Sequence, residues 1–251
     1  MSDSMTLEDY LAQGGQLTSP GNVPPRYRGE LMRIMASFVD SELAGSAGFA
    51  GVINDSPGVK QRIAAARIVL EKADHAARVL RIMSEFGVDA EYYAVHHPWA
   101  KRLPRDASVD AAREATDMRL PVFHFPFLGW ADAVVMNVLM GEAVAVQIGD
   151  LSRMSYAPLA DVFRTIAPRE ARHALLGYEG LTQIVATGEG RAAARASIDY
   201  WRPRVLMSFG NTSDERLAML KRFGLRHETP AAQIQRWNAQ IDARLASLAL
   251  A

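Results

Sequence analysis

The chain has 251 residues, 49% of them apolar, and its 28 basic and 28 acidic residues cancel. A chain of this length can bury a substantial core, and a formal net charge of zero provides no bulk attraction for nucleic acid or an anionic membrane. There is no cysteine, which excludes disulfides, thiolate metal sites and thiol nucleophiles and leaves His, Asp and Glu as the metal donors.

The opening stretch, MSDSMTLEDYLAQGG, carries acidic residues and lacks the apolar core of a secretory signal, so a cytoplasmic location is expected. Pro24 and Pro25 predict the start of a first long helix reaching about Ala44, because proline is tolerated in a first turn and fixes a helical φ. Ser56 and Pro57 predict the cap and first turn of a second, which Gly87 stops. Residues 88–121, carrying HHPWAKRLPRD, read as a long loop of a length that tends to be functional or mobile. A third helix is expected over about 128–153. Its apolar run, 133–149, is interrupted by Asn137 and Glu142, the pattern of a buried core helix rather than a membrane span. A fourth is expected over about 158–188, with Pro168 as a kink inside it. Shorter helices follow at about 190–209, 213–223 and 229–248. No strand-like alternation is sustained and no repeat is found, so the expected class is all-α, a single domain over 1–251 with a core bundle at about 25–188 and accessory helices at 190–248.

At about 100° per residue, each long helix turns ionisable groups toward its apolar side. In the second helix Ile68, Val69, Val79, Leu80, Ile82, Met83 and Phe86 draw the apolar arc; Lys72 falls near its centre, His75 within or beside it, and Glu71 at its edge. In the fourth, Glu170 and His173 join the stripe of Leu159, Phe163, Ile166, Ala174, Leu181 and Ile184, with Glu-x-x-His spacing that sends both from one face a turn apart. Glu42 shares a face with Leu31, Met35, Phe38 and Val39 in the first helix, and Glu142 is the one charged residue of the run 133–149 in the third. Burying an unpaired carboxylate or ammonium costs several kcal/mol, so these groups must meet one another, a metal or water. Carboxylates and histidines facing into a four-helix bundle are the ligand set of di-iron and di-manganese proteins.

Several strings together, SELAGSAG, KADHAARVL, FHFPFLGWAD, SRMSYAPLADVF, EARH and YWRPRVLMSFGNTSDER, resemble the catalytic subunit of phenylacetyl-CoA epoxidase, in order and with similar spacing from about Pro25 to Arg216. Its wider family includes benzoyl-CoA epoxidase and a non-catalytic partner subunit. The resemblance implies a ferritin-like bundle with a di-iron centre that activates O₂ and oxidises an aromatic ring carried on coenzyme A. The ligands it implies are a first-helix Glu, two Glu-x-x-His pairs and a third-helix Asp. Glu42, His75, Glu170 and His173 match these positions. Lys72 stands where the first pair has its Glu, and Gly141 aligns with the Asp, leaving Glu142 one residue along and about 100° round the helix.

Three arrangements accommodate these departures. Lys72 neutralises Glu42 or Glu142 and one metal ion, iron or manganese, stays with Glu170, His173 and another carboxylate. The site is metal-free, with Lys72 a structural ion pair or, as a desolvated amine, a catalytic nucleophile or base. The dinuclear site survives by recruiting Glu71 or Glu142. The functional expectation is an O₂-dependent oxygenase or oxidase with a modified site, acting on a small aromatic or acyl-CoA substrate with electrons from a reductase; the alternative is a non-catalytic, metal-free partner subunit. His96 and His97, in the long loop, are expected in solvent, with a lid over the bundle mouth as the alternative, and His124 in core packing, with the lining of a substrate cavity as the alternative. Arg202 and Arg204 are candidates for a coenzyme A phosphate or for a solvated face, and exposure of Trp201 and Trp237 would favour a homodimer or hetero-oligomer.

Overall fold

A computed structural model describes residues 5–111 and 116–250. Among them the regular structure is α-helical: α1 (Leu7–Ala12), α2 (Pro25–Val52), α3 (Val59–Glu85), α4 (Ala90–His96), α5 (Trp130–Leu151), α6 (Ala157–Ile184), α7 (Gly188–Leu206), α8 (Asp214–Arg222) and α9 (Pro230–Ser247). Sequence chemistry sets many of the boundaries. Proline opens α2 and α9, and the side chains of Thr6, Asp89, Thr187, Ser213 and Thr229 each accept a first-turn amide, satisfying a donor that the helix itself cannot. Gly87, at φ 89°, lets the chain leave α3 in a conformation that other residues rarely adopt.

The four long helices form the bundle. Short connections join α2 to α3 and α5 to α6, and α3 packs on α6 while α2 touches α5. The link from α3 to α5 is a crossover of more than 40 residues that carries α4 and a 3₁₀ turn at Pro121–His124. Helix α2 runs two turns past the expected end at Ala44. Gly45 and Gly48 do not break it, because each leaves room for a neighbour: a Cβ at Gly45 would lie 3.2 Å from both Lys72 Cδ and Phe123 Cε1, and one at Gly48 would lie 3.0 Å from Phe127. Helix α5 is apolar and long enough to cross a membrane, yet most of it is buried inside the fold.

Helices α7 and α9 lie against α5. Trp201 and Trp237 are fully buried there, and the Trp237 indole donates to Leu139 O at 2.9 Å. Neither is the exposed aromatic that would mark a dimer surface; both complete the packing around α5. The apolar core has two large parts, one including Met35, Val39, Ala76 and Ile166, the other including Ala44, Phe123, Met140 and Leu181. Charged side chains of α2, α3 and α6 meet between them.

Candidate functional site

Glu42 comes from α2, Lys72 and His75 from successive turns of α3, and Glu170 and His173 from successive turns of α6. None is more than 5% exposed. The helical phase that sends these residues inward is the one that buries their apolar neighbours, so the bundle cannot form without bringing them together.

Lys72 is at the centre. Its Nζ lies 3.0 Å from Glu42 Oε1 and 3.2 and 3.3 Å from the two oxygens of Glu170. His75 Nδ1 lies 3.0 Å from Glu42 Oε2 and 3.0 Å from Glu170 Oε1, so imidazole and amine bridge the same two carboxylates. His173 Nδ1 approaches Glu170 at 3.3 Å, and its Nε2 meets Glu71 Oε2 at 2.7 Å. Glu71, at the edge of the α3 apolar arc, therefore closes the cluster from its rim.

Burial opposes the charge on Lys72, but the carboxylates of Glu170 and Glu42 outweigh it and hold the ammonium above the ordinary lysine range. Burial also works against ionised Glu170; Lys72, His173 and His75 overcome it and keep the carboxyl well below its usual range. For His75, burial is outweighed by hydrogen bonds to Glu170 and Glu42, which raise its pKa. Lys72 and His75 together stand between Glu42 and Glu170, and Glu71 faces His173 beside them.

The fit of this set to a metal follows from the same distances. Glu42, His75 and Glu170 each offer a ligand atom within 4.8 Å of the others, and His75 Nε2 has no hydrogen-bond partner among the described residues. The ammonium of Lys72, however, stands against both carboxylates, and a protonated amine cannot ligate. Glu71, the remaining carboxylate within reach, is engaged with His173 Nε2 at 2.7 Å, and with the Lys72 ammonium between Glu42 and Glu170 the side chains as they stand do not offer a dinuclear ligand set. Glu142, expected as a substitute ligand, is turned to the C-terminal helix, where Arg244 Nε meets its carboxylate at 2.5 Å. Gly141 faces α6 instead: a Cβ there would lie 2.8 Å from that of Ala174.

The remaining candidates have other surroundings. Arg202 pairs with Asn238 and Asp242, and Arg204 lies over the rings of Tyr200 and Phe125, so both are engaged by the C-terminal helices and their neighbours. His124 is buried as expected and His96 exposed. His97 is not in solvent: it is largely enclosed, stacks on Trp99, and lies against Asp40 and Asp117. Sequence reasoning missed this second group, because its members come from α2 and from two distant points of the crossover.

Antiparallel long helices, one long crossover and inward carboxylates with Glu-x-x-His spacing define a ferritin-like protein of the carboxylate–histidine class. The family described as phenylacetic acid catabolic protein matches residues 16–251, and the chain belongs to that family. It is similar to one of the subunits of the 1,2-phenylacetyl-CoA epoxidase of Escherichia coli (strain K12): 24% identical over 222 residues, 85% of this chain and 65% of that relative, so the match spans just under two thirds of the relative's length.

Proposed function

We propose that this chain is a metal-free, non-catalytic member of an oxygenase assembly of the phenylacetyl-CoA epoxidase kind, its bundle centre closed by Lys72 in place of iron or manganese. The observation that carries this reading is the contact of Lys72 Nζ with Glu42 and Glu170 at 3.0–3.3 Å, which supplies inside the protein the positive charge that an ion would otherwise bring. The partner under this reading is a catalytic relative with its own substrate, O₂ and reductase, and this chain contributes a folded surface to it.

A second reading keeps one ion. It rests on the convergence of Glu42, His75 and Glu170 within 4.8 Å and has the chain itself act on an aromatic acyl-CoA with O₂. It requires Lys72 to lose its proton or withdraw.

Iron and manganese analysis of the purified chain, with an anomalous-scattering map at the bundle centre, separates the two. We expect far less than one ion per chain and no central peak, and a gain of central metal in Lys72→Glu. Near-stoichiometric iron or manganese that disappears in Glu170→Ala and His173→Ala would overturn the metal-free reading.

A further inference from the structure

Asp40 lies two residues before Glu42 on α2, about 200° round the helix, and faces the crossover segment instead of the bundle centre. It is fully buried, and two neutral groups donate to it: Tyr93 OH to Oδ1 at 2.6 Å and the Met118 amide to Oδ2 at 3.0 Å. Asp117 bears on it as a second negative charge. Arg119 orients Asp117 with a fork, Nε at 3.0 Å from both oxygens and Nη2 at 2.6 Å from Oδ2.

Between the two carboxylates stands His97. Its Nε2 is 3.1 Å from Asp40 Oδ2 and 3.8 Å from Asp117 Oδ1. Despite that proximity, neither ring nitrogen makes a hydrogen bond to a described residue. The ring cannot easily turn to improve the angle, because it stacks on Trp99 at 3.8 Å with an interplanar angle of 13°. One imidazole nitrogen and two carboxylate oxygens thus converge within 4.8 Å without bonding along the lines that join them. Donors with bonds of roughly 2.0–2.1 Å to a tetrahedral zinc are about 3.3–3.4 Å apart, a spacing that the observed 3.1 and 3.8 Å bracket.

We infer that Asp40, His97 and Asp117 form a second cation site, separate from the bundle centre, that takes one divalent ion of the zinc type and fastens the crossover segment to α2. An imidazole with two carboxylates suits zinc and its borderline neighbours, and three protein donors leave a position for water. The bundle centre differs in the point that matters: there an ammonium reaches both carboxylates, whereas here the Arg119 guanidinium reaches Asp117 alone and Asp40 is held by a hydroxyl and an amide.

The test uses the full chain, stripped with chelator and titrated with Zn²⁺ by calorimetry and with Co²⁺ by visible absorption. One ion per chain is expected for the native protein, for Tyr93→Phe, which keeps all three donors, and for Glu170→Gln, which alters only the bundle centre. His97→Ala should weaken binding at least tenfold, since even loss of a group that merely orients a metal ligand costs about 10–100-fold. It should also abolish the rise in Tm that Zn²⁺ gives the native chain. Should His97→Ala not fold, the native protein soaked in Zn²⁺ still decides, through an anomalous peak among the three donors. Absence of saturable binding, unchanged affinity in His97→Ala, loss of binding in Glu170→Gln, or no peak at this position would each overturn the inference.

Discussion

Lys72 is a single residue on which two buried carboxylates depend. Truncating it to methionine leaves Glu42 and Glu170 without the ammonium that joins them, and breaking a buried ion pair from one side typically costs about 3–5 kcal/mol. We expect Lys72→Met to lose stability of that order in urea unfolding, and the triple variant Glu42→Leu/Lys72→Met/Glu170→Leu to recover most of it, because apolar residues of similar volume often replace a whole buried ionic group without loss. The same contacts set the pH dependence. Glu170, held well below its ordinary value of 4.5, contributes stability that is present above that value and lost as pH falls through its depressed pKa. His75, raised above its ordinary 6.5, contributes stability that is present below 6.5 and lost as pH climbs through its raised pKa. Unfolding free energy measured against pH should therefore rise up to about 4.5 and decline above about 6.5, and His75→Gln should flatten the alkaline decline.

Among the elements, α5 and α6 approach closely because small residues line their contact. A Cβ at Gly141 would meet Ala174 at 2.8 Å to its Cβ and 3.1 Å to its Cα, and the second of these is backbone. Relief requires the helices to separate. Gly141→Ala should cost about 1–3 kcal/mol through overpacking, against a gain of roughly 1 kcal/mol in helix propensity, so a net fall in Tm is expected; Gly141→Asp, which would return a carboxylate to this position, should fall further. Helix phase made Glu42, Lys72, His75, Glu170 and His173 legible as one inward group, and the separation of about 100° between Gly141 and Glu142 accounts for the latter's turn to Arg244. Helix ends were less legible. The expected end of the first long helix, at about Ala44, falls two turns short, and the close packing of Gly45 on Lys72 and Phe123 that accompanies its continuation is a tertiary contact. Helices α1 and α4, of six and seven residues, are too short to give a periodic signal. The grouping of Asp40, His97 and Asp117 has no periodicity at all, since the crossover path brings them together.

At the scale of the whole molecule, the C-terminal helices belong to the core. Trp237 fills a closed space against α5 and donates to a carbonyl there, so Trp237→Ala should cost about 3–5 kcal/mol and lower the urea midpoint of the bundle along with that of α9, in one transition followed by circular dichroism and tryptophan fluorescence. The chain has only four lysines, Lys60, Lys72, Lys101 and Lys221, and just one of them is sealed at the meeting point of three long helices. Acylating reagents in water will mark the outer amines of the native protein within its lifetime, but the fourth becomes reactive only when the helices part and its proton can leave. The rate at which that amine takes up label, read by peptide mass spectrometry, is thus an internal clock for how often the molecule opens.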